Sequence, residues 1–218
     1  WTDDASMALC LADSMIVSGG YQGGDCRARY FNWWFHGYNN AFARDNDREF
    51  GRLSVGLGGN IAKSLEALLY FADKSPALIP ARYETAGANE DAGNGSIMRL
   101  APVPVRYHHD VITAMEQAAE SSYATHPGPD AAACCRFVAF YVVKAINRPR
   151  GRDDNVDGAA EAAETLQVFT NRIIAEFTAL YDGGRGPSLP KDKGMNRLMA
   201  LLSSSPPSPK EQCWNWRG

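Results

Sequence analysis

This sequence lacks the features of membrane-spanning, secreted and zinc-binding proteins. No apolar run approaches the roughly 20 residues needed to cross a bilayer. The first residues are acidic and have neither the positive flank nor the small-residue cleavage site of a signal peptide. The five cysteines are odd in number and show no Cys-x-x-Cys spacing, which argues against a disulfide framework and a zinc site. We therefore expect a cytoplasmic protein without membrane contact, whose thiols are reduced and mostly buried.

A surplus of positive charge is also missing. The formal net charge is -3, and basic residues are scattered apart from a short run at Arg148–Arg152, so there is no strong signal for binding nucleic acid. The chain has 218 residues, 45% of them hydrophobic, and can bury a large core. We expect one domain over residues 1–218 and a monomer. Because the chain opens at Trp1 within a motif and stops at Gly218 in an aromatic segment, we expect that domain to lack N- and C-terminal segments.

Alternating patterns typical of strands are scarce, and helical periodicity dominates. Apolar residues recur at three- and four-residue steps from Ile61 to Ala72, which marks one face of a helix. Residues 6–17 are apolar on nearly every side, which predicts a buried helix that ends at Gly19 and Gly20. We predict an all-α domain, folded as a compact multi-helix bundle. Further predicted helices are Cys26–Phe35, Asp110–Ser122, Asp130–Ile146, Asp157–Tyr181 and Met195–Ser203.

Thr2, Asp3 and Asp4 stand directly ahead of the first apolar run. Two interpretations are open. Such residues commonly cap a helix by accepting hydrogen bonds from its free N–H groups. They are also hard oxygen ligands of the kind that Mg²⁺ or Ca²⁺ prefers. Three ligands from one segment do not complete an octahedral shell, so a metal site would need residues from distant parts of the sequence.

Two glycine-rich segments could bring backbone N–H groups close to a ligand. In AGNGSIMR, residues 92–99, two glycines flank Asn94 and could form a nest for phosphate or ribose oxygens. A plain Asn-Gly turn is the alternative. In SVGLGGN, residues 54–60, a glycine-rich loop leads into a helix, as in many phosphate sites. This segment lacks the Gly-Lys-Ser/Thr ending of a P-loop and the preceding strand of a dinucleotide fingerprint.

His126 precedes a Pro-Gly turn and a predicted helix in SSYATHPGPDA. A Ser/His hydrolase of the α/β type would carry a G-x-S-x-G elbow, and the sequence has none. His126 either makes a structural hydrogen bond at the start of the helix or acts as a general base. The sequence leaves both open, because the choice depends on geometry.

Taken in order, the segments WTDDASMALCLADSM, GLGGN, GNGSIMRLAPV and THPGPDA resemble the ADP-ribosylglycohydrolase family. The resemblance runs from Trp1 to about Ile146. It implies an all-α bundle of the ADP-ribosylglycohydrolase type that holds two Mg²⁺ ions. It also implies a hydrolase that removes ADP-ribose from modified protein side chains or from related ADP-ribosylated substrates.

The resemblance assigns roles to particular residues. Thr2, Asp3 and Asp4 match the family's metal ligands, and Asp3 and Asp4 would also serve catalysis. The glycine loop would lie near the diphosphate, and the Asn-Gly loop would contact ADP-ribose. The positions that match substrate-binding residues are Gly56, Gly58, Asn94, Gly95, Ser96, Met98 and His126.

Two parts of the family's pattern have no counterpart in this chain. One is an acidic residue ahead of Thr-Asp-Asp, and the other is a Gly-Asp-Ala-Asp-Ser/Thr-like motif near the C-terminus. Part of the expected metal shell is therefore missing. An alternative is a non-catalytic relative that binds ADP-ribose with an incomplete metal site, and a third is a helical protein whose glycine and aspartate motifs are only turns and caps. No residue selects the acceptor to which ADP-ribose is linked.

Overall fold

The computed structural model describes residues 3–39, 56–71, 76–84, 93–148, 165–183 and 189–204. Within these ranges the chain forms α-helices and short 3-10 helices and no strand, which confirms the predicted all-α class. The α-helices are α1 Asp3–Ser18, α2 Gly23–His36, α3 Gly59–Glu66, α4 Pro102–Arg106, α5 Val111–Tyr123, α6 Pro129–Ile146, α7 Leu166–Tyr181 and α8 Lys193–Leu202. The 3-10 helices are Ala67–Phe71, Pro76–Leu78 and Asn94–Ser96.

Short polar side chains and one glycine set several helix ends. The Asp110 carboxylate accepts from the backbone N–H groups of Ile112 and Thr113 at 3.1 Å and so caps α5. Thr165 and Asp192 cap α7 and α8 in the same way. Gly19 ends α1 with a φ of 73°, a backbone conformation that favours glycine. The predicted end of the first helix at Gly19 is therefore confirmed.

The predicted helix Asp157–Tyr181 is wrong at its start. Thr165 has an extended backbone and caps the helix, so α7 begins at Leu166. Residues 157–164 lie outside the described part of the chain. The alanine- and glutamate-rich composition before Thr165 suggested helix, but the cap at Thr165 ends any continuous helix there. The run that starts at Ile61 also changes form, because α3 ends at Glu66 and a 3-10 helix follows.

The first helix is not buried on every side as its composition predicted. One face of α1 packs into the core through Met7, Cys10 and Leu11. The opposite face leaves Ile16 and Val17 exposed, at 78% and 73% of their full accessible surface. Composition predicts whether a helix can be buried, but the number of neighbours that cover it depends on tertiary packing.

Two hydrophobic clusters share α6. The first joins α1, α2 and α3 around the fully buried Tyr30 and Trp33 and takes in Cys135 and Ala139 of α6. The second joins α5, α6, α7 and α8 around residues such as Phe140 and Phe177. The arrangement brings the N-terminal ends of α1 and α3 next to the turn that precedes α6.

The described cysteines carry free thiols, and Cys213 lies outside the described residues. Cys10, Cys26 and Cys135 are buried and Cys134 is partly buried, as expected from the sequence. Burial raises the pKa of the Cys10 thiol to about 12 and that of Cys26 to about 11. None of the described helices combines the length and the apolar character needed to cross a membrane.

Candidate functional site

A pocket of about 240 Å³ forms where segments from four parts of the sequence meet. Asp3 contributes from the first turn of α1, and the glycine-rich segment contributes from the start of α3. The 3-10 turn at Asn94 and the residue His126 complete the wall. The lining residues are Asp3, Gly58, Gly59, Asn60, Ile61, Gly93, Asn94, Gly95, Met98 and His126.

The two aspartates at the start of α1 differ in position. Asp3 lines the pocket and is partly buried, whereas Asp4 is exposed and lies off the pocket wall. Burial raises the pKa of Asp3, and so does the neighbouring Asp4 carboxyl group. Thr2 lies outside the described residues. Within the described ranges no group of three His, Cys, Asp or Glu side chains comes together around one point.

The Asn94 turn is held tightly against the rest of the pocket. Its backbone closes through bonds from the N–H groups of Ile97 and Met98 to the Asn94 carbonyl, at 2.9 and 3.2 Å. Gly95 has no room for a side chain, because a Cβ there would lie 2.8 Å from Ile61 Cδ1 and 2.9 Å from His126 Cε1. A glycine at this position is therefore needed for the close approach of the turn to His126.

Ser96 points away from the pocket. It is buried, and its hydroxyl accepts from Ser122 Oγ at 2.9 Å and from Cys135 Sγ at 3.5 Å. The side chain predicted to bind substrate therefore anchors the turn to α5 and α6. The Ser-x-x-Arg spacing in the sequence gave no indication of which side of the turn this hydroxyl would occupy.

The glycine-rich segment reaches the pocket through its second half. Gly58 lines the wall as predicted, and Gly59 and Asn60 line it as well. Gly56 is exposed, has a φ of 74° and does not line the pocket. A Cβ on Gly93 would lie 3.4 Å from Asn60 Nδ2, so the Asn60 amide adjoins the Asn94 turn. Asn60 was not predicted as a site residue. Its position directly after the glycine run is the feature of the sequence that could have indicated it.

His126 is buried and is held in one orientation. Its Nδ1 atom is hydrogen-bonded to Thr125 Oγ1 at 2.8 Å, and its Nε2 atom lies toward Gly93 and Gly95. Burial, and secondarily the charge of Arg99, lowers the pKa of His126 to about 4. A pKa this low makes the imidazole a weak base near neutral pH. The geometry therefore favours a hydrogen-bonding role over that of a general base.

Arg99 was not predicted as a site residue, yet it lies directly behind the pocket. It is fully buried, and its guanidinium lies over the Tyr30 ring with 4.8 Å between Cζ and the ring centroid. Its Nη1 donates to the Gly95 carbonyl at 3.3 Å and its Nη2 to the Ser121 carbonyl at 3.0 Å. Arginine residues are mostly exposed in proteins, so the sequence predicts a surface position for Arg99, and its burial is seen only in the fold.

A larger cavity, of about 770 Å³, lies away from these residues, on the exposed face of α1 and against α4. Its walls are almost entirely apolar, with residues such as Leu9, Ile16 and Val105. Among the described residues on the wall, Arg106 is the one with a charged side chain. A ligand with a diphosphate and two riboses needs several convergent polar groups. The smaller pocket supplies them, so we take it as the candidate site.

Residues 1–213 match the family described as ADP-ribosylglycohydrolase. The chain belongs to this family. Among curated relatives of this ADP-ribosylglycohydrolase chain are two proteins named ADP-ribosylarginine hydrolase Tri1, from Pseudomonas putida (strain GB-1) and Serratia proteamaculans (strain 568). Each is 30% identical, over 147 and 152 residues respectively. The match covers 67% of this chain and 35% or 36% of the relatives, so the chain spans about a third of their length.

The family membership confirms the predicted resemblance and its helical fold. The pocket brings together most of the residues that the resemblance assigned to substrate, namely Gly58, Asn94, Gly95, Met98 and His126. It leaves out the Ser96 side chain and Gly56. The metal and substrate roles of these residues stay predictions.

Proposed function

We propose that this protein hydrolyses the bond between ADP-ribose and a modified side chain, and that it uses Mg²⁺. The observation that carries the proposal is the pocket in which Asp3, the start of α3, the Asn94 turn and His126 converge. These segments are far apart in sequence, and the family membership gives their convergence a chemical meaning. The names of the two relatives favour arginine as the first acceptor to test.

The described walls would hold part of ADP-ribose. Their volume of about 240 Å³ lies below the roughly 300–1,000 Å³ of sites for drug-sized ligands. The backbone of the Asn94 turn and the Asn60 amide offer hydrogen bonds to sugar or phosphate oxygens. We propose that Gly58, Gly95 and Met98 line the bound portion and that neutral His126 fixes its orientation through Nε2.

Asp3 and Asp4 fit Mg²⁺ in chemistry but do not complete its shell. Two adjacent carboxylates at a helix start are hard oxygen donors, and the raised pKa of Asp3 is what a cation at that position would reverse. We propose that Thr2, Asp3 and Asp4 hold the metal, as the resemblance to the family implies. When bound, Mg²⁺ would orient hydroxyl groups and a water molecule and offset developing negative charge.

The residues of the chain have a definable part in glycosidic cleavage. In the overall reaction the bond from the anomeric carbon of ribose to the acceptor nitrogen breaks, and water supplies a hydroxyl to the carbon and a proton to the nitrogen. Positive charge builds on the ribose in such a reaction, and a nearby carboxylate stabilises it. We propose that Asp3, which lines the pocket, does so, and that the Asn94 turn and His126 hold the sugar in position.

Calorimetric titration of ADP-ribose with Mg²⁺ and with EDTA, together with release of ADP-ribose from ADP-ribosylarginine, tests the proposal. We expect binding that EDTA weakens and release that needs Mg²⁺. The variant Asp3→Asn should lose the Mg²⁺ effect. Asp110→Asn is a matched control, because Asp110 also lies at a helix start but caps α5 away from the pocket. Equal loss in both variants, or no binding by the folded protein, would contradict the proposal.

A second candidate is a protein that binds ADP-ribose without hydrolysing it. The observation in its favour is that no three potential metal-ligating side chains cluster within the described residues. Such a protein would bind ADP-ribose equally well with Mg²⁺ and with EDTA and would release none from arginine. Turnover that depends on Mg²⁺ would exclude it.

A further inference from the structure

Arg99 is an unusual residue to find buried behind a pocket. Its side chain is fully buried, and among the described residues no carboxylate forms an ion pair with it. A buried charge without a counter-ion is costly and persists only where its hydrogen bonds compensate. Its Nε–H is buried and has no hydrogen-bond partner among the residues that the structure describes, so the compensation there is incomplete.

The guanidinium joins the Asn94 turn, which lines the pocket, to the C-terminal end of α5. One of its hydrogen bonds goes to the carbonyl of Gly95 in the Asn94 turn. The other goes to the carbonyl of Ser121 near the C-terminal end of α5. The next residue, Ser122, accepts from the backbone N–H of His126 at 2.8 Å and donates from its hydroxyl to Ser96. Arg99 thus ties the Asn94 turn to the same end of α5 that holds the backbone of His126.

We propose that Arg99 is a positioning residue that sets the spacing between the Asn94 turn and His126, and so the affinity of the pocket for ADP-ribose. The ligand in this statement rests on the proposed function; the spacing does not. A planar guanidinium can bridge two carbonyls in fixed directions, whereas the single ammonium of lysine cannot reproduce that fork. The close approach of Gly95 to the His126 ring leaves little slack, so a small shift of the turn should change the contact surface.

Arg27 offers a matched control within the same chain. It is also buried, and it donates from Nη1 to the carbonyls of Pro80 and Arg82 at 2.7 and 2.8 Å. Within the described ranges its Nε–H has no hydrogen-bond partner. Its guanidinium lies 5.9 Å from the centroid of the Tyr83 ring. Arg27 does not line the pocket. Replacing either arginine by lysine therefore disturbs two carbonyl contacts and one ring contact. Arg99 also lies off the pocket wall, but it bonds to Gly95, which lines the pocket, whereas the carbonyl partners of Arg27 do not line it.

The first experiment compares ADP-ribose binding by Arg99→Lys and Arg27→Lys with that of the unaltered chain, at a temperature where unfolding curves show all three folded. We expect Arg99→Lys to weaken binding about tenfold or more, because a shifted turn would lose contacts with the ligand, and about 1.4 kcal/mol of lost contacts is a tenfold loss. Arg27→Lys should leave binding unchanged. Equal affinities in both variants, or equal losses, would overturn the proposal.

The second experiment needs no substitution, so a variant that fails to fold does not end the test. In the unaltered chain, nuclear magnetic resonance follows the Nε–H signals of both arginines during titration with ADP-ribose. The Arg99 signal should shift and that of Arg27 should not. Absence of an Arg99 shift during saturable binding would count against a link to the pocket.

Failure of the proposed function would be recognised separately. If the unaltered chain does not bind ADP-ribose, the amide signals of Gly93 and Gly95 and the ring signals of His126 are compared between the two variants without ligand. Shifts in Arg99→Lys alone would uphold the positioning role although the ligand was wrong. Unshifted signals in Arg99→Lys would refute the positioning role itself.

Discussion

At the scale of single residues, Gly95 marks the point where the pocket has least room. We expect Gly95→Ala to force the turn away from His126, because the added Cβ would lie within 3 Å of both the imidazole and the buried Ile61. Such overpacking costs about 1–3 kcal/mol. ADP-ribose binding measured by calorimetry should weaken by about tenfold or more.

Gly59 provides the control for that change. It also lines the pocket, but a Cβ there meets no atom of the described part of the chain within 4 Å. Gly59→Ala should therefore leave the affinity near that of the unaltered chain and slightly stabilise the first turn of α3. If Gly59→Ala weakened binding as much as Gly95→Ala, the crowding at His126 would not be the reason.

His126 should make the stability of the fold depend on pH. Its folded-state pKa is about 4 against an ordinary value of 6.5, so between these values the unfolded chain binds the proton more readily. The stability that depends on neutral His126 is fully present above pH 6.5 and is lost as the pH falls through 4. A shift of this size corresponds to on the order of 3 kcal/mol.

Urea unfolding at several pH values measures this effect. The free energy of unfolding of the unaltered chain should rise between pH 4 and pH 6.5 more steeply than that of His126→Gln. Carboxylates titrate in both proteins, so the difference between the two curves isolates the imidazole. Parallel curves would show that His126 is not held neutral by its surroundings.

Residue types and spacing predicted many of the residues around the pocket, but not which side chains lie on its wall and which lie behind it. Asp3, Asn94, Gly95 and His126 could be selected because their types suit ligand binding and their segments resemble a family. Whether a side chain lies on the pocket wall or behind it depends on the packing of α5 against α6. For that reason the sequence could not show that the Ser96 side chain lies behind the wall, and Arg99 was missed.

At the scale of helices, α8 packs on α6 without space for a side chain at Gly194. A Cβ there would lie 2.3 Å from the carbonyl oxygen of Pro129, which is backbone and cannot rotate away. We expect Gly194→Ala to destabilise the protein by on the order of 3 kcal/mol, although alanine is the better helix former. Thermal or urea unfolding would measure the loss.

The reverse change at an exposed site of the same helix separates packing from helix propensity. Ala200 is exposed on α8, so Ala200→Gly should cost about 1 kcal/mol through propensity alone. A loss in Gly194→Ala no larger than this would mean that α8 can move off α6 at little cost.

Local sequence signals predicted where helices begin and end better than they predicted which helix faces are buried. Asp110 and Gly19 act through their own backbone neighbours, so the ends they set could be derived from the sequence. The start of α7 at Leu166 could not, because the residues before Thr165 also have helical composition. The burial of α1 could not be derived either, because it depends on which distant helices cover each face.

At the scale of the whole molecule, the two hydrophobic clusters should unfold together. Removing either cluster would expose one side of α6, which supplies Cys135 and Ala139 to the first and Ala133 and Phe140 to the second. Hydrogen exchange followed by mass spectrometry across a urea series should give the same midpoint for peptides from α2 and from α7. Two separate midpoints would show that α6 does not couple the clusters.

The length of α6 has a further consequence for how long the protein survives proteases. Its 18 residues span about 27 Å, from the turn after His126 to the far side of the second cluster. A ligand that fills the pocket at a hundred times its dissociation constant stabilises the folded state by about 2.7 kcal/mol. If the clusters open together, that gain also protects α7 and α8, which the ligand does not touch. The rate at which proteases degrade the chain would then depend on the supply of its ligand, with resistance to digestion highest when the pocket is occupied.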